Sequence, residues 1–269
     1  MAIPSDRYTH GHHESVLRSH QWRTADNSAA YLLDHLRAGM SLLDVGCGPG
    51  TITADFARLV APGPVIGIDL AESVIEVARR DTAALGLSNL NFATDDVYGL
   101  SFDEGSFDVV HAHQVLQHLS DPVAALVQMR RVLREDGLLA VRDADYGGFV
   151  WYPDSPALGR WMDMYHELTT INRAEADGGR HLVAWVHAAG FDDLEVTSTN
   201  WIYHRYDERR WWGKLWADRV LHSSFAEQCL EHGLATHDEL ELIEQAFLDW
   251  IEDEDGVFIV PSVEVLARR

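Results

Sequence analysis

Short apolar runs and longer amphipathic stretches alternate through the first half of the chain. The apolar runs predict five strands, over residues 42–45, 65–68, 90–94, 107–113 and 138–143. Helix-length stretches separate most of these strands, and residues 122–133 have apolar side chains at mostly helical spacing. A sheet whose strands are joined by helices is parallel and covered on both faces. The pattern therefore predicts an α/β fold with a doubly wound sheet.

The second half predicts two further strands and more helices. Alternating residues from 194 to about 203 predict strand six, and residues 257–265 predict a last strand. We expect the last strand to pair with strand six and to be the one antiparallel member of a seven-stranded, mostly parallel sheet. Pro261 within it predicts a bulge or a break. Helical periodicity also predicts a helix over residues 25–37, packed on the sheet.

The first predicted strand runs into a turn with three glycines spaced two apart. These are Gly46, Gly48 and Gly50, and so dense a set of glycines lets a ligand touch the backbone. The fingerprint for nicotinamide and flavin dinucleotides needs its third glycine at position 51, where this chain has Thr51. The spacing therefore disfavours a nicotinamide or flavin dinucleotide, and the glycines alone are also compatible with an ordinary strand-to-helix turn.

Asp69 ends the second predicted strand, 19 positions after Gly50. This is close to the spacing of about 20 residues expected for a carboxylate that accepts the hydroxyls of a ribose. The alternative is a helix N-cap for residues 72–80. The third strand ends in Asp95 and Asp96, and both acids fall at the same edge of a parallel sheet as Asp69.

The glycine turn and the acid after the second strand together resemble the first motifs of class I S-adenosylmethionine-dependent methyltransferases. Residues 114–122, after the fourth strand, resemble the post-strand motif of small-molecule methyltransferases related to the ubiquinone and menaquinone C-methyltransferases. The resemblance covers roughly residues 40–145. It implies a Rossmann-like fold, S-adenosyl-L-methionine as cofactor and transfer of a methyl group to a small-molecule acceptor.

The resemblance also nominates cofactor-binding residues. Asp96 would bind the adenine amino group and Val97 would pack on its ring, although Asp95 stands where many relatives have glycine, which leaves the choice of acid open. Arg23 and Tyr8 are candidates for the methionine carboxylate. The full set of predicted cofactor-binding residues is Asp44, Gly46, Cys47, Gly48, Gly50, Asp69, Leu70, Asp96, Val97, His113, Gln114, His118, Arg23 and Tyr8.

We divide the chain, as a single domain, into five segments. Residues 1–39 are expected to form an N-terminal helical lid and residues 40–146 the S-adenosylmethionine-binding core. Residues 147–206 are expected to hold a lid insertion, a helix and strand six, residues 207–255 a helical insertion, and residues 256–269 the last strand. Substrate choice is expected to lie outside the core.

A carbon or oxygen acceptor needs a base to remove its proton, whereas a neutral amine does not. His113, after the fourth strand, is the first candidate because histidine titrates near working pH. Asp145 is the second, acting directly or by orienting the histidine. Other candidates at the strand ends or in the expected lid are His118, Tyr146, His10, His12 and His13.

Composition limits the partners and the compartment. The formal net charge of −22 disfavours nucleic-acid substrates. No apolar run reaches 18 residues and no N-terminal signal pattern is present, so we expect a cytoplasmic protein that does not enter a membrane. Two cysteines fit a reducing compartment. They are not spaced as a pair and no His-Glu-x-x-His motif occurs, so no metal site is predicted.

Aromatic content suggests the kind of acceptor. Six of the nine tryptophans lie between Trp151 and Trp212, a region of insertions. Most are expected in the core, but an aromatic lid would suit an indole- or phenol-like acceptor. Two alternatives remain: a same-fold enzyme that uses bound S-adenosylmethionine without transferring its methyl group, and a non-catalytic nucleotide-binding module. The sequence leaves the oligomeric state open, since insertions of this kind serve as dimer contacts or as lids.

Overall fold

The computed structural model describes Thr9 and residues 22–269. Within these residues eight strands form one sheet in the order β3-β2-β1-β4-β5-β8, where β8 also pairs with β6 and β7. β1 to β5 are parallel, and β8 is antiparallel to each of its neighbours. The strands are β1 (Leu42–Val45), β2 (Val65–Asp69), β3 (Leu90–Thr94), β4 (Phe107–His113), β5 (Leu133–Ala144), β6 (Val150–Tyr152), β7 (Asp193–Tyr203) and β8 (Val257–Arg268).

This architecture confirms the predicted α/β fold with a mostly parallel sheet and an antiparallel C-terminal strand. The additional strand is β6, which has only three residues and was expected to be part of a lid insertion. It pairs with Val257–Ile259 at the start of β8, beyond the point where β5 has ended. A run this short has too few residues to show a strand period in the sequence.

Helices flank the sheet and also form a separate layer. They are α1 (Ala25–Ser28), α2 (Ala30–Leu33), α3 (Thr51–Val60), α4 (Glu72–Thr82), α5 (Pro122–Val132), α6 (Pro156–Ile171), α7 (Gly178–Ala188), α8 (Tyr206–His222), α9 (Ser224–Glu231) and α10 (His237–Glu252). No helix within residues 22–269 is both long enough and apolar enough to cross a membrane.

The N-terminal helix expected over residues 25–37 is two single turns, α1 and α2. Ala29 lies between them with φ −139°, outside helical geometry. The Asn27 side chain accepts hydrogen bonds from the Thr24 backbone and the Ser28 hydroxyl, and the first of these completes a capping box at the start of α1.

Two apolar clusters cover the faces of the parallel sheet. Leu32 and Phe56 pack with Leu42 and Val65 on one face, which brings α2 and α3 onto it. Leu126 of α5 and Leu182 of α7 pack with β4 and β5 residues in the second cluster. Both faces are therefore buried, as a doubly wound sheet requires.

A third cluster joins α6, α8, α9 and α10, which we call the helical cap. Its centre is aromatic: Trp161 and Trp216 are fully buried, with ring centroids 4.5 Å apart, and Phe247 packs against both. Thr9 is tied to this layer, since its carbonyl accepts a hydrogen bond from Gln228 at 3.2 Å. Several of the tryptophans in the insertions are therefore core residues.

The bulge or break expected at Pro261 does not occur. β8 keeps one register with β7 through Pro261, which lies opposite Asn200. The Pro261 carbonyl accepts a hydrogen bond from Asp145 N at 3.1 Å, where the chain leaves β5. The N and O atoms of a strand residue point to the same side, so the Pro261 nitrogen points to the same side as its carbonyl. On that side β8 has left β5 and has not yet paired with β6, so no strand needs an N–H donor from Pro261. Proline fits there without interrupting the sheet.

Gly213 allows α8 and α10 to approach closely, and this gives a test of the packing of the helical cap. A Cβ atom at Gly213 would lie 2.5 Å from Ile251 Cγ1 and 3.2 Å from the Phe247 carbonyl, whereas one at Gly159 in α6 would meet nothing within 4 Å. We predict that Gly213→Ala lowers the free energy of unfolding by about 1–3 kcal/mol through overpacking. Gly159→Ala should raise it by up to about 1 kcal/mol through helix propensity. Chemical denaturation measures both, and stabilisation by both substitutions would contradict this packing.

Candidate functional site

The glycine turn after β1 exposes backbone at the carboxyl end of the sheet. Gly46, Gly48 and Gly50 all have positive φ, at 66°, 55° and 79°. A Cβ atom at Gly46 would lie 2.4 Å from Val115 Cγ2, and one at Gly50 would lie 2.5 Å from Phe92 Cζ. Side chains at these positions would therefore both strain the backbone and collide with the neighbouring strand ends. Gly46 is exposed and Gly48 half-buried, so the backbone of the turn remains accessible.

Asp44 lies beneath this turn and does not reach its surface. Only 3% of the residue is exposed. Its carboxylate accepts hydrogen bonds from His111 Nδ1 at 2.7 Å and from Thr53 Oγ1 at 2.5 Å. Asp44 thus joins β1 to β4 and to α3, and its geometry suits positioning of the turn rather than direct contact with a ligand. The neighbouring Cys47 is also buried, and its burial raises the pKa of the thiol.

Asp69 lies beside the glycine turn, at the end of β2. Its carboxylate accepts hydrogen bonds from Gly48 N at 3.3 Å and from Ala71 N at 3.1 Å, and the residue is half-buried. The two backbone bonds fix the carboxylate at the edge of the exposed turn. Leu70, the next residue, is 60% exposed despite its apolar side chain. A half-buried carboxylate next to an exposed leucine fits a ligand with a polar and an apolar part.

The structure distinguishes the two acids after β3. The Asp95 carboxylate accepts from Asp96 N, Ser101 N and Ser101 Oγ at 2.9–3.0 Å, so both of its oxygens hold the loop together. Asp96 is exposed, and one of its oxygens accepts from Tyr98 N at 2.9 Å. Val97 is half-buried beside it. Asp96 is therefore the acid with more of its hydrogen-bonding capacity open to a ligand.

The end of β4 brings several predicted residues together. Gln114 has a positive φ of 53°, and its side-chain oxygen accepts a hydrogen bond from Arg23 Nη2. The preceding His113 is buried and lies opposite Arg142 of β5 in the ladder. Arg23, a residue predicted to hold the methionine carboxylate, therefore lies at the end of β4. Tyr8, His10, His12 and His13 lie outside the described residues.

His118 is held in its neutral form. Removal of its ring from water lowers the pKa of His118 to about 3, and the charges of Arg23 and Arg219 lower it in the same direction. The Gln117 side-chain amide donates to His118 Nε2 at 3.1 Å. A group with so low a pKa holds a removed proton poorly, which makes His118 a weak candidate for the base.

Asp145, the second residue predicted as a base, is engaged by Arg180. Its carboxylate accepts three hydrogen bonds from Arg180, at 2.8 Å from Nε, 2.5 Å from Nη2 and 3.0 Å from the backbone N. Arg180 also pairs with Asp177 at 3.2 Å. Asp145 thereby ties the end of β5 to the start of α7.

Two side chains at the site were not predicted. Burial raises the pKa of Asp143 to about 8, against the lowering effect of backbone amides at residues 115–117 and of Arg142. The ring centroids of Trp201, in β7, and His113 lie 5.9 Å apart. The Arg142 guanidinium carbon lies 4.6 Å from the Trp201 ring centroid. Neither residue belongs to a local motif, because Asp143 lies within an ordinary strand, β5, and Trp201 comes from a distant segment.

A groove of about 380 Å³ lies at the amino end of β3, lined by Leu87 and Phe92 among others. Among Thr9 and residues 22–269, no three His, Cys, Asp or Glu side chains are grouped as metal ligands would be.

The site fits a nucleoside cofactor of the predicted kind. The turn has the bare backbone that close contact with such a group requires, and Asp69 provides a fixed carboxylate within hydrogen-bonding distance of that turn. Leu70 and Val97 provide apolar surface at the next two strand ends. These features come from three separate strand ends, those of β1, β2 and β3, which meet at one edge of the sheet.

Comparison with known proteins gives the same assignment. A family model described as a methyltransferase domain matches residues 36–201. An uncharacterized methyltransferase of Schizosaccharomyces pombe is 29% identical over 100% of this chain and 99% of its own length. A ubiquinone/menaquinone biosynthesis C-methyltransferase of Hahella chejuensis is 34% identical over 48% of this chain and 51% of its own. The YcgJ protein of Bacillus subtilis has a similar fold, with a TM-score of 0.59 and 18% identity over 91% of this chain and 98% of its own.

The low pKa of His118 predicts how stability depends on pH. In the unfolded chain this histidine takes up a proton near pH 6.5, whereas in the folded protein it stays neutral until about pH 3. The unfolded state therefore binds more protons between these values, and the free energy of unfolding falls as pH falls through that window. We predict that His118→Gln reduces the loss of stability between about pH 6.5 and about pH 4.

Thermal unfolding at several pH values measures this effect. His187→Gln, at an exposed position of α7, is the matched control and should follow the unmodified protein. An equal loss of stability in His118→Gln and the unmodified protein would show that His118 is not the group responsible.

Proposed function

The chain belongs to the methyltransferase domain family, and from this premise we propose that it transfers a methyl group from S-adenosylmethionine to a small, apolar or aromatic acceptor by in-line displacement. The observation that carries the proposal is the hydrogen bond from Gly48 N to Asp69. It joins a bare glycine turn to a fixed carboxylate at the edge of the sheet where α/β folds bind their ligands.

We propose that the predicted cofactor residues each bind a different part of S-adenosylmethionine. The backbone around Gly46, Gly48 and Gly50 would approach its central part closely, and Asp69 would accept the two ribose hydroxyls. Leu70 and Val97 would pack against the adenine ring, and Asp96 would accept from its amino group. Arg23 and Gln114, which already contact each other, would hold the carboxylate of the methionine part, with Tyr8 as a further candidate. When bound, S-adenosylmethionine supplies a methyl group attached to a positively charged sulfur.

The acceptor would lie between the strand ends and the helical cap. Four aromatic residues, which we call the aromatic wall, adjoin each other near His113: Trp22, Trp201, Tyr203 and Trp211. They come from the N-terminal segment, β7 and α8. This supports the proposed division in which residues 40–146 bind the cofactor while residues 1–39, 147–206 and 207–255 select the acceptor. Flat apolar rings suit an indole- or phenol-like molecule.

His113 is the residue we propose as base for an oxygen or carbon acceptor. It lies at the end of β4, next to Gln114 and the aromatic wall. Asp145 would act as a positioning residue, because its ion pair with Arg180 fixes the end of β5, the strand that pairs with β4 at His113. In-line displacement otherwise needs alignment of the acceptor and the methyl group, which rigid strand ends provide.

Incubation with methyl-deuterated S-adenosylmethionine and a panel of small aromatic metabolites tests the proposed function. Mass spectrometry should find at least one panel member that has gained one labelled methyl group, together with an equal amount of S-adenosylhomocysteine. A product formed while the labelled cofactor is recovered unchanged would contradict methyl transfer. It would indicate instead an enzyme that uses the bound cofactor without consuming it.

Asp69 gives a direct test of the cofactor site. We predict that Asp69→Ala weakens S-adenosylhomocysteine binding by about 2 kcal/mol, roughly 30-fold, because two charge-assisted hydrogen bonds are lost. Asp103→Ala, at an exposed loop acid, is the control and should bind normally. Isothermal calorimetry measures both proteins, and circular dichroism checks their folds. Equal affinity of the two variants would overturn the ribose assignment.

His113 gives a test of the chemical step, once an acceptor is known. We predict that His113→Ala lowers the single-turnover rate by ~10²- to 10⁴-fold with nearly unchanged cofactor affinity, because proton removal is lost. Asp145→Asn should mainly reduce thermal stability, since it weakens the pair with Arg180. An unaltered rate in His113→Ala would show that the reaction proceeds by alignment alone, as for an amine acceptor, or uses another base.

A further inference from the structure

β7 is the outermost strand on one side of the sheet and is exposed along most of its length. Among the described residues it pairs only with β8, which lies along one of its two sides. Residues 195–200 are all exposed, and successive side chains of a strand point to opposite faces, so neither face of this stretch is covered. In the described part of the chain, the backbone N–H and C=O groups on the outer side of β7 therefore have no strand beside them.

The outermost strand on the other side, β3, is protected against pairing with another strand. It has only five residues. Asn89 and Asp95 bond to β2 from either end of β3, so the backbone groups of Phe92, an odd number of residues from each, point outward. The Arg79 guanidinium occupies that outer side, because it donates a hydrogen bond to the Phe92 carbonyl at 2.9 Å. Short strands and charged side chains at the edge are ways in which proteins prevent unwanted strand pairing.

β7 has none of these protections. It has eleven residues, contains no proline or lysine, and keeps one register with β8 without a bulge. Residues 196–203 include no Asp, Glu, Lys or Arg, although the chain as a whole has a formal net charge of −22. A long, exposed and uncharged edge strand is a template for pairing with a strand of another chain.

The charges at the two ends of β7 favour antiparallel pairing with a second copy of this chain. Three exposed acids lie at its start, and two exposed basic residues directly follow its end: Asp192, Asp193 and Glu195, then His204 and Arg205. Two copies paired in parallel would place acid opposite acid. Antiparallel copies instead place the acidic end of each strand opposite the basic end of the other, which is the favourable cross-strand arrangement.

Symmetry and the exposed apolar side chains select one register. In a two-fold symmetric antiparallel pair, directly opposite residues share a face, and the residue on the axis lies opposite itself. With Thr199 on the axis, Val196 lies opposite Ile202 of the second copy, and Asp193 lies opposite Arg205. Val196 and Ile202 are 47% and 49% exposed and lie on one face of β7. Moving the axis by one residue in either direction would put a polar residue opposite Val196.

We propose that this chain forms a homodimer in which β7 pairs with β7 of a second copy, antiparallel and with Thr199 on the two-fold axis. The contact joins two eight-stranded sheets into one continuous sheet. It gives the outer backbone groups of β7 hydrogen-bonding partners and removes two exposed apolar side chains of each copy from water. Because β7 also carries Trp201, the interface adjoins the aromatic wall of each copy.

Analytical ultracentrifugation of the full chain over a range of concentrations tests the dimer. We expect a species of twice the mass of one chain at micromolar concentrations. Val196→Lys places a charged side chain opposite Ile202 and should raise the dimer dissociation constant roughly 10-fold or more. Leu242→Lys, at a 65% exposed apolar position of α10, is the matched control and should dimerise like the unmodified protein. Circular dichroism checks that both variants are folded.

Disulfide cross-linking tests the register. Val196→Cys combined with Ile202→Cys should form disulfides between the copies under mild oxidation, because directly opposite residues have Cβ atoms about 4.5–5.5 Å apart. Each single variant is a matched control, since its two cysteines would lie about 20 Å apart along the paired strands. The native cysteines, Cys47 and Cys229, are both buried. Denaturing electrophoresis without reductant measures the cross-linked fraction.

Three results would overturn the proposal: a chain that stays monomeric up to high micromolar concentrations, a dimer that Val196→Lys leaves unchanged, or a double cysteine variant that cross-links no more than the single variants. None of these measurements uses a cofactor or an acceptor. The dimer and the proposed function therefore stand or fall separately.

Discussion

The architecture of the site depends on one steric constraint, the turn after β1. Three glycines spaced two residues apart, Gly46, Gly48 and Gly50, adopt left-handed backbone conformations there. The atoms that a side chain at Gly46 or Gly50 would strike belong to Val115, after β4, and to Phe92 of β3. The turn therefore lets the ends of neighbouring strands converge while it leaves bare backbone facing outward. Without that convergence Asp69 would not lie within reach of Gly48, and no common edge would exist for a cofactor.

Buried polar contacts beneath the glycine turn fix the positions of the strand ends. Asp44 joins β1, β4 and α3 through His111 and Thr53. In the neighbouring strands Arg142 pairs with Glu264 at 3.2 Å, and both are buried. Breaking such a buried pair by removing one partner is strongly unfavourable. The strand ends are thus fixed by interactions that a bound ligand does not need to supply, which suits a reaction that depends on alignment.

Local sequence patterns nominate residues for the proposed cofactor half of the site more readily than for the proposed acceptor half, and the reason is the distance along the chain over which each half is assembled. Gly46, Asp69 and Asp96 each follow a strand at a spacing that the parallel sheet imposes, so local patterns are sufficient to nominate them. Trp201 reaches the neighbourhood of His113 through β7, and no local pattern marks it. The ion pair of Asp145 with Arg180 is likewise a tertiary contact that no local pattern predicts. Pro261 was misjudged for the same reason, since its missing donor matters only if a partner strand lies opposite.

The central claim is that the glycine turn and the strand ends beside it bind S-adenosylmethionine rather than a dinucleotide. Calorimetric titration of the full chain with S-adenosylhomocysteine, and separately with NAD, tests this claim most directly. Our account predicts saturable binding of one S-adenosylhomocysteine per chain and no heat of binding from NAD. Binding of NAD, or the absence of S-adenosylhomocysteine binding by the folded protein, would contradict it.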